Sequence, residues 1–170
     1  MERNVMRLNS IFAITLSASI FGCGFLSDSS YDEDAKNDRR ILEEIIKANP
    51  VLDSAVNDGH SFLPTSSESM RITGDLDLRN LGLNDSNFHF PTSIRDFKLV
   101  NHVNLMSNNF TDLPQGTFIK KWEVVLVLGN KICNPPQETI DYLDDLMNGY
   151  PGGYWRDSQR CGESISKALL

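Results

Sequence analysis

The sequence predicts an α/β repeat protein, a short solenoid of about three units with short parallel strands and a helix capping each end. Three observations predict it. Apolar positions between residues 103 and 132 recur at a spacing of 22, and a period of this size is typical of a solenoid. Within each unit, apolar side chains alternate as in a half-buried strand. An amphipathic segment precedes the repeats, and another follows them.

Residues 1–22 predict a signal peptide. Arg3 and Arg7 give this segment a positive start, and a mostly apolar stretch follows over residues 11–21. The stretch is shorter than the ~20 apolar residues that a membrane-spanning helix needs. A buried core helix is the alternative, but such a helix normally shows a polar face.

The predicted signal peptide runs into residues 20–23 (IFGC), which resemble the lipobox of bacterial lipoproteins. The resemblance implies an exported protein whose Cys23 is lipidated and anchors the chain in a membrane. Gly24 follows, where an Asp commonly retains such proteins in the inner membrane. The resemblance therefore points to the outer membrane or the cell surface. Residues 23–37 are predicted as the lipidated cysteine and a flexible tether rich in Ser and Asp.

Residues 38–71 predict an N-terminal cap that begins with a helix over residues 38–48. The apolar stripe of this helix consists of Ile41, Leu42, Ile45 and Ile46. Asp38 is predicted to cap the helix N-terminus, and Pro50 is predicted to end the helix. The rest of this region, over residues 53–70, is polar and rich in turn-forming residues.

Residues 72–132 predict the repeats. The lines VNHVNLMSNNF and WEVVLVLGNKI match at a spacing of 22 in the pairs Val103/Val125, Leu105/Val127, Asn108/Asn130 and Phe110/Ile132. An earlier line, TGDLDLRNLGL, lies 27 residues before the first of them and has Leu81 where the others have Asn. Coincidental alternation in an ordinary β-rich domain is the alternative. Matches at several positions, both asparagines included, favour the repeat.

These lines fit the pattern LxxLxLxxNxL and resemble leucine-rich repeats. The first line continues as LPQGTF, as it does in bacterial and extracellular members of that family. The resemblance implies that Asn108 and Asn130 are structural, because the side chain of an asparagine can hydrogen bond the backbone where the chain leaves each strand. It also implies a protein or peptide partner bound on the concave face of the strands.

Residues 133–170 predict a C-terminal cap and tail. A helix is predicted over residues 134–148, with Asn134 as its N-cap. The succession of a Cys, a helix, a Trp and a second Cys resembles the C-terminal cap of bacterial leucine-rich-repeat proteins. If Cys23 carries the lipid, Cys133 and Cys161 remain as a pair in an oxidising compartment, so a disulfide is predicted. Two buried free thiols are the alternative.

Composition and motifs favour a binding module over an enzyme. The formal net charge is −7, and removal of residues 1–22, which hold two arginines and one glutamate, makes it −8. This balance argues against nucleic acid as a partner. His60, His89 and His102 are not at metal-ligand spacing, and the sequence contains none of the motifs that mark catalytic or cofactor sites. We therefore expect no catalytic residue, no metal and no cofactor.

The candidate binding surface consists of the residues that alternate with the inward apolar positions. They are Asp75, Asp77 and Arg79 in the first unit, His102, Asn104 and Met106 in the second, and Val124, Leu126 and Leu128 in the third. The third strand is thus apolar on both faces, and we expect either the chain's C-terminal tail or a partner to cover it. A structural envelope lipoprotein without a separate soluble ligand is the alternative function.

Overall fold

The computed structural model describes residues 29–147 and 155–162, which form a mixed α/β fold around a small parallel sheet. The helices are α1 (Ser29–Ala48), α2 (Asp53–Asn57), α3 (Ser67–Thr73) and α4 (Gln137–Met147). The strands are β1 (Asp75–Asp77), β2 (His102–Asn104) and β3 (Val124–Leu126). Short 3-10 turns lie at Pro50–Leu52, Thr92–Asp96 and Thr117–Ile119. No helix in the described ranges is long and apolar enough to cross a membrane.

The sheet has the order β1-β2-β3, and both neighbouring pairs are parallel. Leu76 pairs with Val103, and Val103 pairs with Val125. The predicted equivalence of Val103 and Val125 is therefore confirmed, and Leu76 joins the same row. All three side chains in this row are buried, whereas the residues on either side of each are exposed or half-buried. One face of the sheet thus packs on the core and the other is open.

The turns that follow the strands repeat as the strands do. Asn80, Ser107 and Gly129 each adopt a left-handed backbone, with φ of 60°, 56° and 72°. They are separated by 27 and 22 positions, the same offsets that separate the paired strand residues. The equivalence of the three segments therefore extends beyond the sheet into the turns.

Asn108, predicted to be structural, connects two of these turns from a fully buried position. Its Nδ2 donates to the carbonyl oxygens of Leu78 (2.8 Å) and Leu105 (3.0 Å). Its Oδ1 accepts from the backbone N–H groups of Leu81 (3.0 Å) and Leu83 (3.1 Å). Asn108 thus joins its own segment to the preceding one, which has Leu81 at the position of the asparagine.

Asn130 makes a similar set of bonds one segment later and is also fully buried. Its Nδ2 donates to the carbonyl oxygens of Leu105 and Val127, both at 2.9 Å. Its Oδ1 accepts from the backbone N–H of Phe110 at 3.1 Å. Buried polar backbone groups need such partners, so the two asparagines hold successive segments together.

Helix α1 begins earlier than the sequence predicts. It starts at Ser29 rather than Asp38, so the part of the predicted tether from residue 29 onward is helical. Ala35 is 1% exposed and continues the buried side of the helix that Ile41 and Ile45 form. From Ala35 onward α1 packs on the domain, and this tertiary packing outweighs the polar composition of the segment.

Asp38 lies inside α1 and does not cap its N-terminus, so that prediction is wrong. The residue is fully buried. Its Oδ1 accepts from the backbone N–H of Lys98 at 2.8 Å, and its Oδ2 accepts from those of Leu99 (2.8 Å) and Val100 (2.9 Å). The carboxylate therefore satisfies the backbone of the segment that leads into β2, and it ties that segment to α1.

The region over residues 53–70, predicted as turns, contains α2 and most of α3. Ser66 caps α3 by accepting from the backbone N–H of Ser69 at 3.0 Å. Gly74 ends α3 with φ of 61°, and a Cβ at this position would lie 2.1 Å from Oδ1 of Asn101. Only glycine fits at this position. Gly74 is the single residue that joins α3 to β1.

The predicted disulfide pair is at bonding distance in the structure, with the Cα atoms of Cys133 and Cys161 5.6 Å apart. The bridge holds residues 155–162 against the end of the sheet, where the backbone N–H of Arg160 donates to the carbonyl of Asn130 at 2.6 Å. The C-terminal tail, one of the two covers expected for β3, lies outside the described residues from residue 163 onward, as does Cys23.

Helix α4 begins at Gln137, three residues after the predicted start. Asn134 is therefore not adjacent to its first turn, and the Gln137 side chain donates to Oδ1 of Asp141 at 2.7 Å instead of reaching back to cap the helix. From the C-terminal segment, the guanidinium of Arg156 and the indole N–H of Trp155 hydrogen bond to Asp144. These bonds hold the pKa of the Asp144 carboxyl below its usual value.

Candidate functional site: the open face of the sheet

The open face of the sheet forms a cavity of about 320 Å³. It is lined by Asp75, Asp77, Arg79, His102, Val103, Asn104, Val124 and Leu126. Seven of the nine residues predicted on this face are in that set. The other two, Met106 and Leu128, are half-buried and do not line the cavity. The structure therefore brings together side chains from all three strands.

The β1 side of the cavity is formed by acidic side chains and one arginine. Asp77 is half-buried, and its Oδ2 lies 3.0 Å from Nε of Arg79. Its Oδ1 accepts from the backbone N–H of Arg79 at 3.2 Å. These two contacts fix Arg79 beside the carboxylate. Asp75, two residues earlier on the same face, keeps 54% of its side chain exposed.

A row of three ionisable side chains crosses the sheet. Nδ1 of His102 lies 3.2 Å from Oδ1 of Asp75 on β1, and its Nε2 lies 3.6 Å from Oε2 of Glu123, just before β3. An imidazole donates from both nitrogens only when it is protonated. The row therefore places a group that can carry a positive charge between two carboxylates.

Glu123 and His60 contribute to this region but were not predicted from the sequence. Glu123 lies outside the strand alternation, and the only sequence signal is its position two residues before Val125. His60 lies in the segment between α2 and α3. Its Nε2 lies 3.0 Å from the carbonyl oxygen of Asp77, and its ring packs edge-on against Phe62 with centroids 4.7 Å apart. His60 therefore supports β1 from outside the sheet.

The β3 side of the cavity is apolar. Val124 and Leu126 line it, and both are half-buried, so the third strand is only partly exposed. On β2, Oδ1 of Asn104 accepts from the backbone N–H of Met106 at 3.1 Å, which orients the amide at the cavity floor. The face is thus polar and acidic at β1 and apolar at β3.

The cavity offers contacts for binding and no hydroxyl or thiol nucleophile among its lining residues. In the described ranges, no group of three or more His, Cys, Asp or Glu side chains is placed to hold a metal ion. A second depression, of about 460 Å³, is lined largely by apolar groups and includes the exposed side chains of Phe118 and Ile119. Of these two depressions, only the cavity on the open face of the sheet is lined by residues of all three strands.

Comparison of the chain with family profiles, with curated proteins and with solved structures gave no significant match.

Proposed function

We propose that this chain is a short leucine-rich-repeat module, exported and anchored to the outer membrane or cell surface through lipidated Cys23, that binds a protein or peptide partner on the open face of its sheet. The cavity shared by β1, β2 and β3 is the observation that carries the proposal. The repeat assignment is supported by the row Leu76, Val103 and Val125 and by the buried asparagines that join successive segments.

The open face is suited to binding because its side chains are already ordered. Short parallel strands hold them in rows, and hydrogen bonds or ion pairs fix Arg79, His102 and Asn104 in place. A partner that meets such a surface immobilises few additional side chains, so less conformational entropy is lost on association. This argument supports protein or peptide recognition and requires no cofactor.

Pull-down of the tagged full-length chain from detergent-solubilised envelopes of its source cells tests the proposal. The wild-type chain is expected to recover one partner in stoichiometric amount. Leu126→Asp places a charge in the apolar side of the cavity and should abolish recovery. Ile119→Asp makes the same kind of change at the second depression and should leave recovery intact. Asp75→Lys serves as a second face variant if Leu126→Asp melts at a lower temperature.

Equal recovery by the wild-type chain and by folded face variants would overturn the proposal. A chain that cofractionates with a large envelope assembly and yields no separable partner would favour a structural envelope lipoprotein instead.

The anchor is tested separately. Cys23→Ala should release the protein from the membrane fraction, because the two acyl chains that hold it there are lost. The wild-type chain should carry the corresponding acyl mass. Unchanged membrane partitioning of the variant, with no acyl mass on the wild type, would contradict the anchor and leave the binding proposal to be judged on its own test.

A further inference from the structure

The chemistry of the open face indicates which kind of partner it fits. Asp75, Asp77 and Glu123 are acidic, and Arg79, which lies against Asp77, is the one arginine or lysine among the cavity-lining residues. These four charged groups, counted without His102, sum to two negative charges on the face. The face therefore repels anions and attracts cations.

The two outer carboxylates are accessible to a partner. The Asp75 side chain is 54% exposed and that of Glu123 is 67% exposed. His102 lies between them, 3.2 Å from one and 3.6 Å from the other. A guanidinium or ammonium group from a partner can contact these carboxylates from the open side, and a guanidinium matches a carboxylate in a planar, two-point geometry.

The apolar side of the same cavity adds a second requirement. Val124 and Leu126 lie across the sheet from Asp75 and Asp77, and both are half-buried. Arginine and lysine carry long apolar stems below their charged heads. A partner whose cation reaches the carboxylates can therefore place that stem, and an apolar neighbour, against the β3 side.

We propose that the open face recognises a segment of a partner protein that carries an arginine or lysine next to an apolar residue. This inference rests on the proposed function, because it names the chemistry of the partner that the same face binds. It is carried by the carboxylates of Asp75, Asp77 and Glu123 together with the apolar side chains of β3.

A peptide selection tests the inference. A random peptide library displayed on phage is selected against the full-length chain in detergent. Binders that also recognise Leu126→Asn, which removes the apolar side chain without adding a carboxylate, are discarded. The retained peptides should share an arginine or lysine beside an apolar residue. Replacement of that arginine by citrulline, or of the lysine by norleucine, removes the charge at similar size and should weaken binding. Added salt should weaken binding as well.

Two double variants with the same charge change complete the test. Asp75→Asn with Glu123→Gln should reduce the affinity of a retained peptide by about tenfold or more, because the two more exposed carboxylates of the face are lost. Asp145→Asn with Glu138→Gln, two exposed acids on α4, should change it by less than about twofold. Melting curves of both variants should match the wild type.

The outcomes separate this inference from the proposed function. Retained peptides without a basic residue, or equal affinity for both double variants, would overturn the basic partner and leave a binding face of other specificity. If no peptide distinguishes the wild-type chain from Leu126→Asn, the inference is overturned and the proposed function is contradicted with it.

Discussion

Asn108 is expected to stabilise the fold more than Asn130, although both are fully buried asparagines at equivalent positions. In Asn108→Ala, the N–H groups of Leu81 and Leu83 and the carbonyl of Leu78 all lose the partner they have in the structure. An unsatisfied buried polar group costs about 1–3 kcal/mol. Three such groups, one of them only half-buried, give a loss of roughly 3–5 kcal/mol.

The corresponding loss at Asn130 is smaller because its partners have other bonds. The carbonyl of Leu105 also accepts from Asn108, and that of Val127 also accepts from Nε2 of Gln159. Only the N–H of Phe110 is left without a partner in Asn130→Ala. We expect a loss of roughly 1–3 kcal/mol for this variant.

Urea unfolding monitored by circular dichroism measures the difference between the two variants. The free energy of unfolding should fall in the order wild type, Asn130→Ala, Asn108→Ala, with an unchanged dependence on urea concentration. A total stability of about 5–15 kcal/mol leaves room for the larger loss. Equal losses, or a larger loss at Asn130, would refute the reasoning that the cost depends on how many partner groups keep a second hydrogen bond.

Three further predictions concern other parts of the fold. Asp38→Asn should lower the free energy of unfolding by about 2–4 kcal/mol, because the amide nitrogen then faces a backbone N–H. A Glu43→Gln control on the exposed side of α1 should change this free energy little. Equal effects of the two substitutions would contradict the role of the buried carboxylate. Reduction of the bridge between Cys133 and Cys161, which are separated by 28 positions, should lower the free energy of unfolding in denaturant by about 3.5 kcal/mol. Alkylation of both cysteines in unfolded, unreduced protein would show that no bridge forms. Because the pKa of Asp144 is lowered in the folded state, its carboxylate stabilises the fold above the unfolded-state pKa, and this stabilisation is lost as the pH falls through the folded-state pKa. Asp144→Asn should therefore flatten the pH dependence of the free energy of unfolding in the acid range. An unchanged acid profile would contradict the stabilising role of this carboxylate.

The repeated positions could be predicted from the sequence because they follow local rules. The pairing of Val103 with Val125 follows from matching residues at one spacing. The structural roles of Asn108 and Asn130 were implied by the resemblance of these lines to leucine-rich repeats. The side of the sheet that each residue occupies follows from strand alternation. The bond between Cys133 and Cys161 was predicted from the cysteine count once Cys23 was assigned to the lipid.

Features that depend on distant contacts could not be predicted in this way. Asp38 has the composition and position of a helix cap, but its partners are backbone groups about 60 residues away. Glu123 meets His102 only because the parallel register places the residue before β3 beside β2. The polar start of α1 is helical because Ala35 and Asp38 pack on the domain. In each case tertiary contacts determine the outcome, and local propensity is only a weak guide.

Site-specific photo-crosslinking in intact cells tests most directly whether the open face binds a partner. A photo-reactive amino acid replaces Leu126 in the cavity and, in a matched control, Ile119 at the second depression. Irradiation is expected to give one adduct of defined mass from position 126 and none of that mass from position 119. No adduct at position 126, the same adducts from both positions, or a crosslink only to the chain's own residues would contradict binding at this face.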